Sequence, residues 1–402
     1  MSARRHLLAL LFASLSQAGL SPAADALPSG CGQPGQWLSP PLVPGSTVQP
    51  IPQAELLKGL TDKPVVLLGE IHDRADDHRW QLDMLKALHN QQPDMAIGLE
   101  MFPRRVQATL DRWVAGSLDE AAFLKEADWD RVWAFDAQHY LPLFRFAREH
   151  KLPMLALNVD RSLVRRVSST GWAAIPQSER EGVGDPAPAT SEYREELQAT
   201  FSQHPEFKAG KPEAETQFLR FVEAQLLWDR AMAEAIAGYR RAHPSTRVVG
   251  ILGAGHVRNG QGVPHQLRDL GLGKPGTLMT LPTDHACAGL PDGVADAVYL
   301  IPPQPDPFPP PRLGIAMKEG PEGVVIERVV PDSVAKRAGL QDGDLILQAA
   351  GIKVTSIDDV RGHVQRQPPG TWLPLLIRRG AETLELVAKF PPRESPPQAD
   401  KP

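Results

Sequence analysis

Between residues 62 and 300 the chain alternates short, almost uninterrupted apolar runs with longer stretches in which apolar side chains recur every three or four positions. The short runs are Val65–Gly69, Met95–Glu100, Met154–Asn158, Val248–Gly253, Thr277–Leu281 and Ala297–Ile301. Runs of that length with no polar alternation predict strands covered on both faces, as in a parallel sheet. The intervening stretches carry helical spacing, clearest in Trp80, Met84, Leu85 and Leu88 and again in Phe218, Val222, Leu226, Met232 and Ile236. Strand and helix in alternation predict an α/β fold, a parallel or mixed sheet flanked by helices. Residues 171–212 break the rhythm, being rich in Pro, Ser, Glu and Gly with weak helical spacing around Tyr193–Phe201. That segment reads as an excursion over the sheet, and long excursions of this kind often serve as lids.

Several predicted strands end in polar residues. Gly69-Glu70-Ile71-His72 follows the first, Glu100 ends the second, Asn158 and Asp160 follow the third, and Gly253-Ala254-Gly255-His256 follows the fourth. In a parallel sheet these ends share one edge, where α/β proteins place their sites. Two imidazoles and two carboxylates without a thiolate form a donor set suited to a divalent transition ion, with His72, His256, Glu70 and Glu100 as its ligands. Glu70 also suits a general base toward a metal-bound water. The plainer alternatives are hydrogen-bonded structural histidines, Glu70 on the amides of the next helix, and Glu100 paired with Arg104 or Arg105. His78 opens the next helix and reaches either solvent or His72. Gln225 and Asp229 share a helix face with apolar neighbours, which suits either a core hydrogen bond or the orientation of a site histidine.

Beyond residue 301 the texture changes. Residues 302–311 are dominated by proline and predict an extended, semi-rigid linker. A second domain follows over 312–391, then a tail, 393–402, of disordered composition. The N-terminus has the layout of an export signal over residues 1–26: Arg4 and Arg5, an apolar run from Leu7 to Leu20, and Ala24-Asp25-Ala26 as small cleavage-site residues. The expectation is a periplasmic or other cell-envelope protein, soluble or surface-anchored. Ser29-Gly30-Cys31 has the form of a lipoprotein anchor site apart from Pro28, while Cys31 and Cys287, the only two cysteines, alternatively form a disulfide. A net charge of −5 with no block of like charge favours neither nucleic acid nor an anionic membrane as partner.

Two resemblances sharpen this. Leu313-Gly314-Ile315, Gly323-Val324-Val325-Ile326, Pro331 through Leu340, Gln341-Asp342-Gly343-Asp344-Leu345-Ile346 and Arg378-Arg379-Gly380 make residues 312–391 resemble the PDZ domains of HtrA-type periplasmic proteases. The resemblance implies a small β-rich domain that binds the C-terminal peptide of an envelope protein. Its carboxylate would meet amides of Leu313, Gly314 and Ile315, the peptide would run beside Ile315–Met317, and residues 357–365 would form the opposite wall. Leu68-Gly69-Glu70-Ile71-His72-Asp73 with His78 and Gln81, Gly98-Leu99-Glu100-Met101-Phe102, Gln225 through Ala233, Gly253-Ala254-Gly255-His256 and Gly262-Val263-Pro264 resemble ChaN-type haem-binding proteins across 50–303. That resemblance implies haem as cofactor, iron uptake, and dimers around paired haems. The cofactor-binding candidates are then His72, His78, His256 and, as the tyrosine expected to be most exposed, Tyr193. The wider Tiki and TraB group implies instead a metal-dependent hydrolase with Glu70 and Glu100 in catalysis. A third alternative is a non-enzymatic scaffold acting through the PDZ domain.

Overall fold

The computed structural model describes residues 32–41, 50–133, 135–202, 213–282, 290, 293–301, 311–320, 323–365, 367 and 370–391. The export signal, Cys31, Cys287, nearly all of the proline linker and the tail lie outside them. The chain divides into two compact units, Met1–Asp306 and Pro307–Pro402. Among the described residues no helix is long and apolar enough to cross a membrane.

The first unit is built on an eight-stranded sheet. Its strands are β1 (Trp37–Leu38), β2 (Pro50–Ile51), β3 (Val65–Glu70), β4 (Met95–Pro103), β5 (Met154–Asn158), β6 (Arg247–Gly253), β7 (Gly276–Pro282) and β8 (Ala297–Ile301). The order across the sheet is β2-β1-β8-β7-β3-β6-β4-β5. All six strands expected from the apolar runs are present and pair in parallel. The two-residue β1 and β2 add an antiparallel edge that makes the sheet mixed.

Residues alternate between two cores. Val66, Leu68, Ile97 and Leu99 pack with Trp80, Met84, Leu110 and Phe144 on one face. Val65, Leu67, Ala96 and Leu157 pack with Val164, Leu227, Met232 and Leu267 on the other. Burial of both faces explains why the strands show no polar alternation in sequence.

The excursion is ordered where it is described. Residues 171–190 run through short turns into a helix, Ser191–Ser202. The segment is held to the body of the unit by side chains from other elements. Glu223 accepts from the Trp172 amide at 3.0 Å, Glu234 from Gly184 at 3.1 Å, and Gln266 both accepts from Ala187 N (2.8 Å) and donates to Ala187 O (2.9 Å). It is a strap fastened at several points.

The second unit is an antiparallel sheet of β9 (Ile315–Gly320), β10 (Gly323–Val329), β11 (Leu345–Ala349), β12 (Ile352–Lys353), β13 (Trp372–Arg379) and β14 (Glu382–Lys389), with a helix over Ile357–Gln365. The order β14-β13-β11-β10-β9 leaves β9 on the edge. Asp344, fully buried, is gripped by Arg379 through Nε and Nη2 at 2.8 Å each, which ties the Gly343-Asp344 turn to β13. Half-buried Ile315 and Met317 on β9 and Ile357 on the helix pack onto the same core as Val360 and Val364. Gly314 adopts a φ of +81°, and a Cβ there would stand 2.3 Å from that of Ser333. Only glycine fits that turn immediately before the edge strand.

Candidate functional site: two histidine tetrads around a buried glutamate

Three neighbouring strands, β3, β6 and β4, bring their C-terminal parts together, with β4 continuing to Pro103. Glu70 closes β3 opposite Gly253, which closes β6, and Leu99 of β4 lies opposite Ile251. This register sets Glu100 beside the end of β6, with His72 two residues beyond β3 and His256 three beyond β6. The four proposed donors therefore do converge on one crevice at the C-terminal edge of the sheet.

Glu70 and Glu100 are buried, and His72 and His256 lie on the rim with 18% and 9% of their side chains exposed. Gly253 makes the approach possible. A Cβ on it would lie 2.8 Å from His72 Cε1, 3.0 Å from His72 Nε2 and 3.5 Å from Glu100 Oε2. Its amide donates to Glu100 Oε2 at 2.6 Å, fixing that carboxylate.

Each rim histidine is backed by a buried acid, and each acid by a buried tyrosine. His72 Nδ1 meets Glu70 Oε1 at 2.7 Å, and Tyr140 donates its hydroxyl to the same oxygen at 2.8 Å. His256 Nδ1 meets Asp229 Oδ1 at 2.6 Å, and Tyr193 donates to Asp229 Oδ2 at 2.8 Å. Asp229 thus takes the orienting place that its helix face suggested. His78 does reach back toward His72: its Nδ1 is 3.1 Å from Glu70 Oε2 and its Nε2 is 3.0 Å from the His72 carbonyl. It is 2% exposed, so it supports Glu70 from behind.

Aromatic rings wall the crevice. Trp133 stands edge-on to His72 with centroids 4.6 Å apart, Phe135 is at 5.2 Å from His72, and Trp228 stands edge-on to His256 at 5.2 Å.

The histidines are hydrogen-bonded, as the plainer alternative has it, but the carboxylates take other partners than it names: Glu70 the imidazoles of His72 and His78 and the Tyr140 hydroxyl, Glu100 the Gly253 amide. The amide of Ile71 is taken by Asp77. Arg105 pairs with Asp160, and Arg104 donates to the carbonyls of Glu181 and Ala231, which leaves neither on Glu100. Asn158 donates to the carbonyl of Glu100 and so steadies β4. The expectation that Tyr193 is the most exposed tyrosine is overturned. It is 2% exposed because its ring packs with Leu197, Phe218 and Val222, and its hydroxyl donates to Asp229 on another helix. No motif in the sequence points to Tyr140, Trp133 or Phe135, although Trp129, Trp133, Tyr140 and Phe144, spaced by four, seven and four residues, hint at an aromatic cluster.

Electrostatics follow from this arrangement. Burial alone would raise the Glu70 pKa, but the charge of His78 and the hydrogen bonds from His72 and His78 outweigh it and hold the carboxyl well below the ordinary carboxylate range. Burial would lower His72 and His78, yet the Glu70 carboxylate raises both, with Glu100 also acting on His72. His256 is pushed up to about 9: burial opposes its charge, and the Glu100 and Asp229 carboxylates prevail. Burial pushes Tyr140 and Tyr193 well above the usual phenol value, reinforced by Glu70 and Asp229 respectively.

A folded-state value above the unfolded one means that the His256 contribution is complete below about pH 6.5 and disappears as pH rises through about 9. The melting temperature is therefore expected to fall between those values. In His256→Gln the fall should be shallower, as thermal unfolding across pH will show.

The donors face one another, and among the described residues no group of three or more His, Cys, Asp or Glu side chains is arranged to hold a metal ion. The bare metal centre expected on His72, His256, Glu70 and Glu100 is thus not supported.

Comparison with known proteins decides the family. The model of the family described as haem-binding uptake, Tiki superfamily, ChaN matches residues 56–267, more than half of the 402 residues, and this stretch builds the crevice. The chain belongs to the ChaN family. A structure of ChaN of Campylobacter jejuni, described as showing cofacial haem binding, matches with a TM-score of 0.50 and 21% identity over 62% of this chain and 92% of that one, a likeness of fold. A PDZ-domain model matches residues 325–379, so this ChaN-family protein carries a C-terminal PDZ domain. That part is 41% identical over 68 residues to the serine protease HTRA1 of Xenopus tropicalis and 38% to that of Xenopus laevis. Each match covers 17% of this chain and 14% of the relative, so the chain spans a small fraction of those proteases' length.

Proposed function

We propose that this protein binds haem in the cell envelope, and that its PDZ domain takes the C-terminal end of an extended peptide. The observation that carries the haem reading is the Glu70–His72 pair at the aromatic rim. Nδ1 of His72 is engaged by a buried carboxylate, and its Nε2 lies close to Gly253. A carboxylate on the far nitrogen fixes the tautomer and raises ligand basicity, the support that metal-bound histidines generally have. The rings of Trp133 and Phe135 beside it supply apolar surface of the kind that a flat macrocycle buries. His72 and His256 are the side chains that would hold the group, and bound haem would supply an iron centre that an imidazole nitrogen can ligate. Glu70, His78 and Tyr140 act from behind, keeping the His72 ring in place and charge-balanced.

Titration with micromolar haemin should produce a Soret band that His72→Ala weakens strongly. A wild-type protein giving no band would remove the haem reading.

For the second unit, support comes from the edge position of β9, the left-handed Gly314 before it, and the aliphatic side chains Ile315, Met317 and Ile357 between strand and helix. An edge strand beside such a groove suits strand addition by a peptide. Export rests on the pattern of residues 1–26, and the envelope supplies both a source of haem and proteins with accessible C-termini.

A further inference from the structure

Two units of the same composition face each other across Glu100. In each, a buried tyrosine hydroxyl donates to a buried carboxylate whose other bond holds Nδ1 of a rim histidine: Tyr140–Glu70–His72 on one side and Tyr193–Asp229–His256 on the other. They differ in where the tyrosine comes from. Tyr140 stands on the Ala137–Glu149 helix packed in the core, whereas Tyr193 stands on the strap. We infer that Tyr193 is a positioning residue of the binding site, through which the strap sets the orientation of His256 without itself touching ligand. This rests on the haem reading for its ligand, though not for its geometry.

Asp229 has two oxygens and two partners. Oδ1 serves His256 and Oδ2 serves Tyr193. With Oδ2 pinned the carboxylate plane cannot turn about its Cβ–Cγ bond, so the direction in which it accepts from Nδ1 is fixed. Without the phenol, Oδ2 becomes a buried acceptor with a lost donor, and the carboxylate turns to recover one. The imidazole then follows, because its other holds are looser, Trp228 edge-on at 5.2 Å and Glu100 Oε1 at 3.6 Å from Nε2. A core hydrogen bond would satisfy the tyrosine equally well at any backbone carbonyl. Here the strap brings the phenol to the one carboxylate that holds a rim histidine. The strap is independently anchored near that point, since the Thr190 hydroxyl donates to Gln261 at 3.0 Å and accepts from the Tyr193 amide at 3.1 Å.

The test compares the full chain with Tyr193→Phe, which removes one oxygen, and Thr190→Ala, which removes a neighbouring hydrogen bond while Glu223, Glu234 and Gln266 still fasten the strap and the phenol stays. Haemin titration should show about tenfold weaker binding and an altered Soret position in Tyr193→Phe, the scale usual for loss of a partner behind a metal ligand, with Thr190→Ala close to wild type. Wild-type affinity and spectrum in Tyr193→Phe would overturn the inference, as would equal losses in both variants. A second arm needs no haem. Proton–nitrogen NMR of the protein with labelled histidine should show a strongly downfield, exchange-protected Nδ1 proton for His256. That signal should be broadened or lost in Tyr193→Phe and kept in Thr190→Ala. Persistence of the signal unchanged in Tyr193→Phe overturns the positioning role. Absence of a Soret band in wild type with the NMR contrast intact overturns only the haem reading.

Discussion

Glu70→Ala should lower the melting temperature of the first unit by roughly 10 °C. The carboxylate holds His72 and His78 and accepts from Tyr140, and it is 3% exposed. Truncating it leaves the buried His78 ring facing the His72 carbonyl and Gln81 without its main counter-charge. Breaking a buried ion pair from one side costs about 3–5 kcal/mol, and a domain of this size loses about 2–4 °C per kcal/mol. Glu70→Gln keeps the shape and one acceptor oxygen and should lose less than the alanine variant. Thermal unfolding by circular dichroism gives the order directly. Equal melting of wild type and Glu70→Ala would mean that the network contributes nothing to the fold.

The second large effect separates binding from folding within a single tetrad. Gly253→Ala places a methyl 2.8 Å from His72 Cε1 and 3.0 Å from Nε2, closer than such atoms approach, so the His72 ring must move off its bond to Glu70. Two residues on, a Cβ at Gly255 meets nothing within 4 Å. Gly253→Ala is expected to weaken haem binding at least tenfold, since a displaced imidazole loses its carboxylate partner. Gly255→Ala should titrate as wild type. Haemin titrations of both variants, with a melting curve for each, check the contrast. Equal affinities would show that the His72 position is immaterial to binding.

Much of this architecture is legible in the chain because burial writes itself into sequence. Six strands covered on both faces had to be apolar throughout, and the polar residues at or just beyond the ends of four of them marked the edge where the crevice lies. Strand order is another matter. That β6 lies between β3 and β4 follows from long-range pairing, and no local pattern encodes it. β1 and β2 are two residues each, too short to show any periodicity. Tyr193 misleads for a related reason. Its neighbours in sequence are polar, and its burial is decided by Phe218, Val222 and Asp229, 25 to 36 residues away. Asp229 and His256 were legible as a pair in principle, since a polar residue on an apolar helix face needs a partner. The aromatic wall around Trp133 needed the fold to bring it to His72.

The insertion of β6 between β3 and β4 also governs when the crevice comes into being. As the chain is synthesised, β3 and β4 emerge early, yet neither pairs with the other; β4 meets β5, and the gap between β3 and β4 waits for residues 247–253. Contacts spanning some 180 residues close slowly because loop entropy is lost before they form. Until then Glu70 and Glu100 are charged ends of strands with nothing to bury them. Assembly of the sheet centre and of the binding crevice is thus one event, and a polypeptide that ends before residue 247 has neither.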